Sequence, residues 1–137
     1  MKWIIVVLAA VGVYASAAAL REHYRVGASP CSINDKWDCG IVNKSPYALI
    51  HGVPVADIGI AGYVLLGALA IRKRWRFLAA AAVLGLAFSI YLANIEAHVL
   101  GVWCIYCVLS LTMISLITLL SIAVVLMGAF KTKSAAA

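Results

Sequence analysis

The chain has 137 residues, of which 66% are apolar and only 12% charged. With a mean hydropathy of +1.06, such a chain has too little polar surface to cover a water-soluble globule, which makes it a membrane protein. The net charge of +6 lies in short basic clusters flanking apolar segments, a pattern of membrane topology, and no nucleic-acid signal accompanies it.

Trp3 to Leu20 is the first apolar run. A single lysine before it and the small-residue string Ala15–Ala17 also fit a cleaved signal peptide, but the segment is expected to remain as an uncleaved span. Residues 21–54 follow as the one sizeable polar region, and they contain CSINDKWDC, with Cys31 and Cys39 separated by seven residues. Asn34, Asp35 and Gly40 favour turns, and Pro30 and Pro46 interrupt regular structure, so this pair is expected on a loop that can move. Ser45 before Pro46 has the form of a helix cap and first position, predicting a short lid helix over Ser45 to Ile50.

Further apolar runs occupy Val53 to Ile71 and Phe77 to Ile95, and a last one extends from Val99 to Phe130. A bilayer core of roughly 30 Å takes about twenty helical residues, so each run is long enough to cross it. The last has 32 residues, about 48 Å at ~1.5 Å per residue, which exceeds the core and leaves its first turns near the interface. The expected architecture is therefore all-α: one domain over residues 1–137, a four-helix membrane bundle with spans near 3–20, 55–72, 77–97 and 104–130.

In such a bundle Lys2, Arg72, Lys73, Arg74, Arg76, Lys131 and Lys133 share one side, which has no acidic residue. Arg21, Arg25, Lys36 and Lys44 lie on the other with all five acids, Glu22, Asp35, Asp38, Asp57 and Glu96. The excess of Lys and Arg in short cytoplasmic loops predicts that both termini and the Arg72–Arg76 turn are cytoplasmic and that all four cysteines lie at the outer face.

The last span opens with GVWCIYCVLS, in which Cys104 and Cys107 are three residues apart. If the helix begins near Trp103, Cys104 lies in its first turn, where unpaired amide N–H groups favour a thiolate, and Cys107 lies one turn deeper on the same face. Taken alone, each pair has other readings. Cys31 and Cys39 suit a structural disulfide in an oxidising compartment. Four thiolates suit zinc, although the seven-residue gap is wider than usual zinc spacings. A disulfide-stapled structural protein and a transporter with an outer metal gate are the corresponding non-redox functions; the spans have no mid-depth charge to serve transport. A redox relay accounts for both pairs together, the loop pair meeting a protein from the water and the CxxC meeting an oxidant from the lipid.

CSINDKWDC in the first outer loop, Ser45 six positions beyond it, the string SIYLANI at 89–95 and CIYC opening the last span together resemble the vitamin K epoxide reductase family. The resemblance runs from the first span to about Phe130, and the order of a spaced loop pair before a CxxC separates it from the DsbB-type quinone oxidases, whose CxxC comes first. It implies a four-helix bundle around a quinone of ubiquinone or menaquinone type. Cys104 and Cys107 become the redox centre, with Cys107 nearest the ring, and Cys31 and Cys39 become the shuttle pair. Ser45 and Tyr47, on the lid near the cofactor, and Leu92, Glu96 and Leu111 fall at quinone-contact positions. The implied activity is membrane thiol–disulfide oxidoreduction supporting disulfide formation in exported proteins.

Two departures bear on substrate. Leu111 stands where vertebrate members have a tyrosine, and only Val55 or Asp57 is available for their asparagine at the start of the second span. Quinone reduction rather than epoxide reduction is the expected half-reaction. Only Lys131 to Ala137 follows the last span, so the electron donor is expected to be a separate secreted or periplasmic thioredoxin-like protein, with lipid as the other partner and a monomer as the working unit. His98 with Glu96 is a candidate proton relay, Tyr91 and Asn94 are expected to bond between helices, and Trp37, Trp75 and Trp103 are expected as interfacial anchors. Gly59, Gly62, Gly67 and Gly85 are expected to be close-packing positions between helices.

Overall fold

A computed structural model of the chain describes residues 2–24, 49–50, 52–101 and 103–136. It is a helical bundle formed by α1 (Lys2–Tyr24), α2 (Val55–Ile71), α3 (Trp75–Ile95) and α4 (Ile105–Ala136). A π-helical turn, Glu96–Leu100, continues α3. The two-residue strands β1 (Leu49–Ile50) and β2 (Val53–Pro54) precede α2.

Three apolar segments, Trp3–Tyr24, Trp75–Val99 and Ile105–Gly128, are long enough to cross a bilayer. The fourth, Val55–Ile71, has 17 residues, about 26 Å at ~1.5 Å per residue, which is the lower end of what a span requires. α1 runs four residues beyond the expected limit at Leu20 and carries Arg21, Glu22 and His23 in its last turn. Hydropathy falls after Leu20, but the helical backbone hydrogen bonding continues past it to Tyr24.

The predicted lid helix over Ser45 to Ile50 does not reach its last two positions. Leu49 and Ile50 pair antiparallel with Pro54 and Val53, and Gly52 in the intervening turn has φ +82°. A tight turn with a left-handed residue holds this backbone extended where the sequence suggested a cap and a helical start. Residues 45–48, with Ser45 and Tyr47, lie outside the described residues, as do Cys31, Cys39 and Trp37.

α1 packs against α2 and α4, and α3 packs against α4, whereas the seam between α2 and α3 is the most open. The buried core lies towards the Arg72–Arg76 turn, where Ile5 and Ala9 of α1 meet Tyr63, Leu66 and Ala70 of α2, Leu78 and Ala82 of α3, and Ile114 and Ile117 of α4. Between membrane helices lipid competes with every apolar contact, so association depends on close approach of small residues and on a few polar bonds. Thr118 Oγ1 donates to the Ala82 carbonyl at 3.2 Å across α4 and α3. Tyr63 donates from α2 to the Ser110 carbonyl on α4 at 2.6 Å. Large apolar side chains such as Val7, Leu84, Leu119 and Met127 point outwards, as lipid-facing positions should.

Tyr91 and Asn94 do not make the expected interhelical bonds; both face outwards. Trp75, at the start of α3, is half-buried and packs on the core. Three of the four expected close-packing glycines, Gly59, Gly67 and Gly85, do meet a neighbouring helix, and Gly62 does not. A Cβ at Gly59 would come within 2.7 Å of Ser16 Oγ, and one at Gly85 within 3.2 Å of Ile114, but Gly62 has nothing within 4 Å. The tightest position is Gly12, where a Cβ would overlap the ring of Tyr63.

The α2–α3 turn closes without glycine. Lys73 has φ +57°. Its N–H bonds to the Ala70 carbonyl at 3.1 Å, and the N–H of Arg74 bonds to the Leu69 carbonyl at 3.0 Å. This paired arrangement is a Schellman ending, with lysine at the left-handed position that glycine usually holds.

Candidate functional site

The half of the bundle opposite the core encloses a cavity of about 370 Å³. Its wall is built from all four helices and is mainly apolar, with Ala15 and Ala19 from α1, Ile58 and Leu66 from α2, Leu84, Phe88 and Leu92 from α3, and Tyr106, Leu111 and Ile114 from α4. The volume lies within the range of small-molecule sites, and an apolar wall with a few convergent polar groups is their usual character. The polar groups here are Ser16, His23, Tyr63, Ser89, Ser110, Glu96 and the thiol of Cys107.

Local geometry explains how Cys107 comes to the wall. Gly101 adopts a left-handed φ of +68° and ends the π-helical turn, so the chain reverses before α4 begins. Cys104 accepts the first hydrogen bond of α4, its carbonyl receiving the N–H of Val108 at 3.0 Å, which makes it the cap residue. Cys107 therefore lies in the first turn of the helix, half-buried and facing the cavity. Cys104 is completely buried. The sequence placed Cys104 as the outer and more accessible of the two; in the structure the cavity gives Cys107 the greater exposure.

Glu96 joins the two. Its Oε2 accepts the backbone N–H of Cys104 at 3.4 Å. The Cys107 thiol and the same carboxylate line one wall of the cavity. Glu96 is only 4% exposed and is the one acidic residue on the cavity wall among the described residues. His98, considered with it as a relay, is exposed and lies off the cavity.

Leu92, Glu96 and Leu111 all line the cavity, as does Trp103, which the sequence suggested only as an interfacial anchor. Val55 lines the wall too, and Asp57 does not. Where the vertebrate pattern would place asparagine and tyrosine, this cavity presents Val55 and Leu111. Polar character comes instead from Tyr63 and Ser110, neither of which sequence reasoning singled out. Ser110 lies three residues after Cys107 on α4, a spacing that puts both on one face and was the available signal.

Residues 3–122 match the model of the Vitamin K epoxide reductase family. No curated protein matches the chain.

Proposed function

The chain belongs to the vitamin K epoxide reductase family of membrane oxidoreductases, and from that premise we propose that it oxidises a thioredoxin-like protein and passes the electrons through two cysteine pairs to a quinone. The observation that carries the reading is the position of Cys107: a thiol on the wall of an apolar, ring-sized cavity, at the start of a helix, one turn from Ser110 and on the same wall as Glu96. Phe88, Leu92, Trp103, Tyr106 and Leu111 would hold a quinone ring of ubiquinone or menaquinone type against that thiol, so the residues present suit such a group.

In this mechanism a thiolate of the partner attacks the Cys31–Cys39 disulfide, forming a mixed disulfide at Cys31 and releasing Cys39. The partner's second thiolate resolves the mixed bond, and the partner leaves oxidised. Cys39 then attacks Cys104, breaking the Cys104–Cys107 bond; Cys107 leaves as a thiolate at the cavity wall and takes up a proton to become the thiol. Attack by Cys31 on Cys39 restores the loop disulfide and returns Cys104 as a thiol. When bound, the quinone supplies the sink for two electrons and two protons and departs as quinol into the bilayer. The protein's own contribution is to hold the dithiol beside the ring, to exclude water with an apolar wall, and to reform the Cys104–Cys107 disulfide.

The basic Arg72–Arg76 turn supports an orientation with both termini in the cytoplasm and the cysteines on the outer face of the cell membrane. The net result is disulfide formation in exported proteins by a monomeric chain. The test is to reconstitute the full chain with short-chain ubiquinone and menaquinone analogues and follow quinol formation on adding dithiothreitol. Dithiol-dependent quinol formation that disappears in Cys104→Ser and Cys107→Ser is expected. Failure to reduce either quinone by protein shown to be folded would overturn the reading.

A further inference from the structure

We propose that the Glu96 carboxylate is the base that takes the proton from the Cys107 thiol. The inference rests on reading Cys104 and Cys107 as a redox pair, and it assigns the proton path that such a pair needs.

Three observations converge on Glu96. It is 4% exposed at the membrane-embedded end of the third span, where an ionisable side chain is costly and marks function by default. It lines the same cavity wall as the sulfur that must lose a proton, and its Oε2 accepts the N–H of Cys104, the first cysteine of the pair, at 3.4 Å. It also sits at the first residue of a π-helical turn, Glu96–Leu100. Such turns are uncommon and recur at functional sites. A neutral acceptor such as glutamine would hold the Cys104 amide equally well, so helix capping alone does not call for a carboxyl group.

Among the described residues, the other titratable groups on the cavity wall are His23 of α1, Tyr63 of α2, and Tyr106 and Cys107 of α4, with Cys104 buried beside them. Tyr63 is engaged with Ser110, and His98 in the same turn as Glu96 points away. Among the described residues Glu96 is the one carboxylate on the cavity wall, and it is held at the CxxC turn by the Cys104 amide.

When the pair is oxidised, two S–H bonds break and the Cys104–Cys107 S–S bond forms, releasing two electrons and two protons. Both electrons and both protons end on the quinone, which leaves as quinol. Glu96 carries the Cys107 proton from sulfur to the cavity and is returned to carboxylate with each turnover.

The experiment measures alkylation of Cys107 by iodoacetamide in the reduced, quinone-free full chain, read by mass spectrometry of the Cys107 peptide across a pH series. With an internal base, the wild-type rate rises less than in proportion to hydroxide below the titration of the thiol. In Glu96→Gln it becomes proportional to hydroxide and falls roughly tenfold or more at neutral pH, within what general-base assistance contributes. Glu96→Asp, which keeps a carboxylate, stays faster than the Gln variant. If Glu96 only caps the helix, removing its negative charge leaves Cys107 equally or more reactive, and that result overturns the proposal. So does a wild-type rate that is simply proportional to hydroxide, a measurement that requires no variant to fold. Because no quinone is present, loss of dithiol-dependent quinone reduction in the wild type would sink the functional reading and leave this assignment standing. Wild-type rates of both quinone reduction and alkylation in Glu96→Gln would do the reverse.

Discussion

Tyr63 of α2 reaches across the bundle to Ser110 of α4, its hydroxyl 2.6 Å from the Ser110 carbonyl oxygen and 2.8 Å from its Oγ. The two residues are 47 positions apart, and their bond ties α2 to the helix that carries Cys107. Interhelical hydrogen bonds of this kind contribute about 0.6 kcal/mol on average and up to about 1.7. Tyr63→Phe keeps the ring and removes only the hydroxyl, so it should cost about 0.5–1.5 kcal/mol in reversible unfolding. A loss confined to stability would mark the pair as a structural tie. A larger loss in quinone reduction than in stability would show that the cavity also uses the hydroxyl.

The same tyrosine gives Gly12 its role. Any Cβ at position 12 would meet the Tyr63 ring, which is itself 5% exposed and packed in the core. Gly12→Ala should therefore force α1 away from α2 or displace the ring, costing about 1–3 kcal/mol. Gly62, on the helix carrying Tyr63, has nothing within 4 Å of its Cβ position. There the change to alanine should be neutral or stabilising by up to about 1 kcal/mol, because glycine is the weaker helix former. Thermal unfolding of both variants in the same detergent checks the contrast, and equal destabilisation would contradict it.

Lys73 occupies a left-handed backbone position at φ +57° in the turn between α2 and α3. A side chain there carries a steric penalty of roughly 1–2 kcal/mol that glycine avoids. Lys73→Gly should raise stability by about 0.5–1 kcal/mol, less than the full penalty because the unfolded glycine chain has more freedom to lose. Arg72, Arg74 and Arg76 remain to fix topology, so orientation should be unchanged when measured by accessibility of a reporter at the C-terminus.

Much of this architecture was legible because a bilayer turns composition into length. Uncharged runs located all four helices, and a start of the last one near Trp103 lies close to the observed start of α4 at Ile105. What the sequence could not supply is which helix face turns inwards. α2 and α4 are apolar nearly all round, so no amphipathic stripe points Tyr63 at Ser110 or singles out Gly12 above the other glycines. The spacing of Leu92 and Glu96 put them on one face of α3. That the face meets Cys107 follows from the π-helical turn and the left-handed Gly101, and neither leaves a periodic signal. The extended Leu49–Ile50 pair was missed for another reason: Ser45 and Pro46 are sound helix-start residues, but the pairing with Val53 and Pro54 fixes the backbone instead.

Substitutions at Cys107 and Leu92 would separate electron entry from electron exit in the proposed relay. Cys107 faces the cavity while Cys104 is fully buried beside it, so an uncharged maleimide partitioning into the bilayer should modify Cys107 ahead of Cys104 in the reduced protein. Cys107→Ser should then abolish quinol formation while the Cys31–Cys39 pair still exchanges disulfides with a reduced thioredoxin. Leu92→Trp tests the cavity without touching a cysteine. Leu92 lines the wall one turn before Glu96, and an indole there would take up part of a space of about 370 Å³. Quinone reduction should fall at least tenfold, by roughly 1.4 kcal/mol or more of lost binding, while thiol exchange at both pairs keeps its wild-type rate. Undiminished quinone reduction by the Cys107→Ser protein would place the exit of electrons elsewhere. Equal loss of both activities in Leu92→Trp would mean that the cavity supports the fold of the CxxC turn and does not receive the ring.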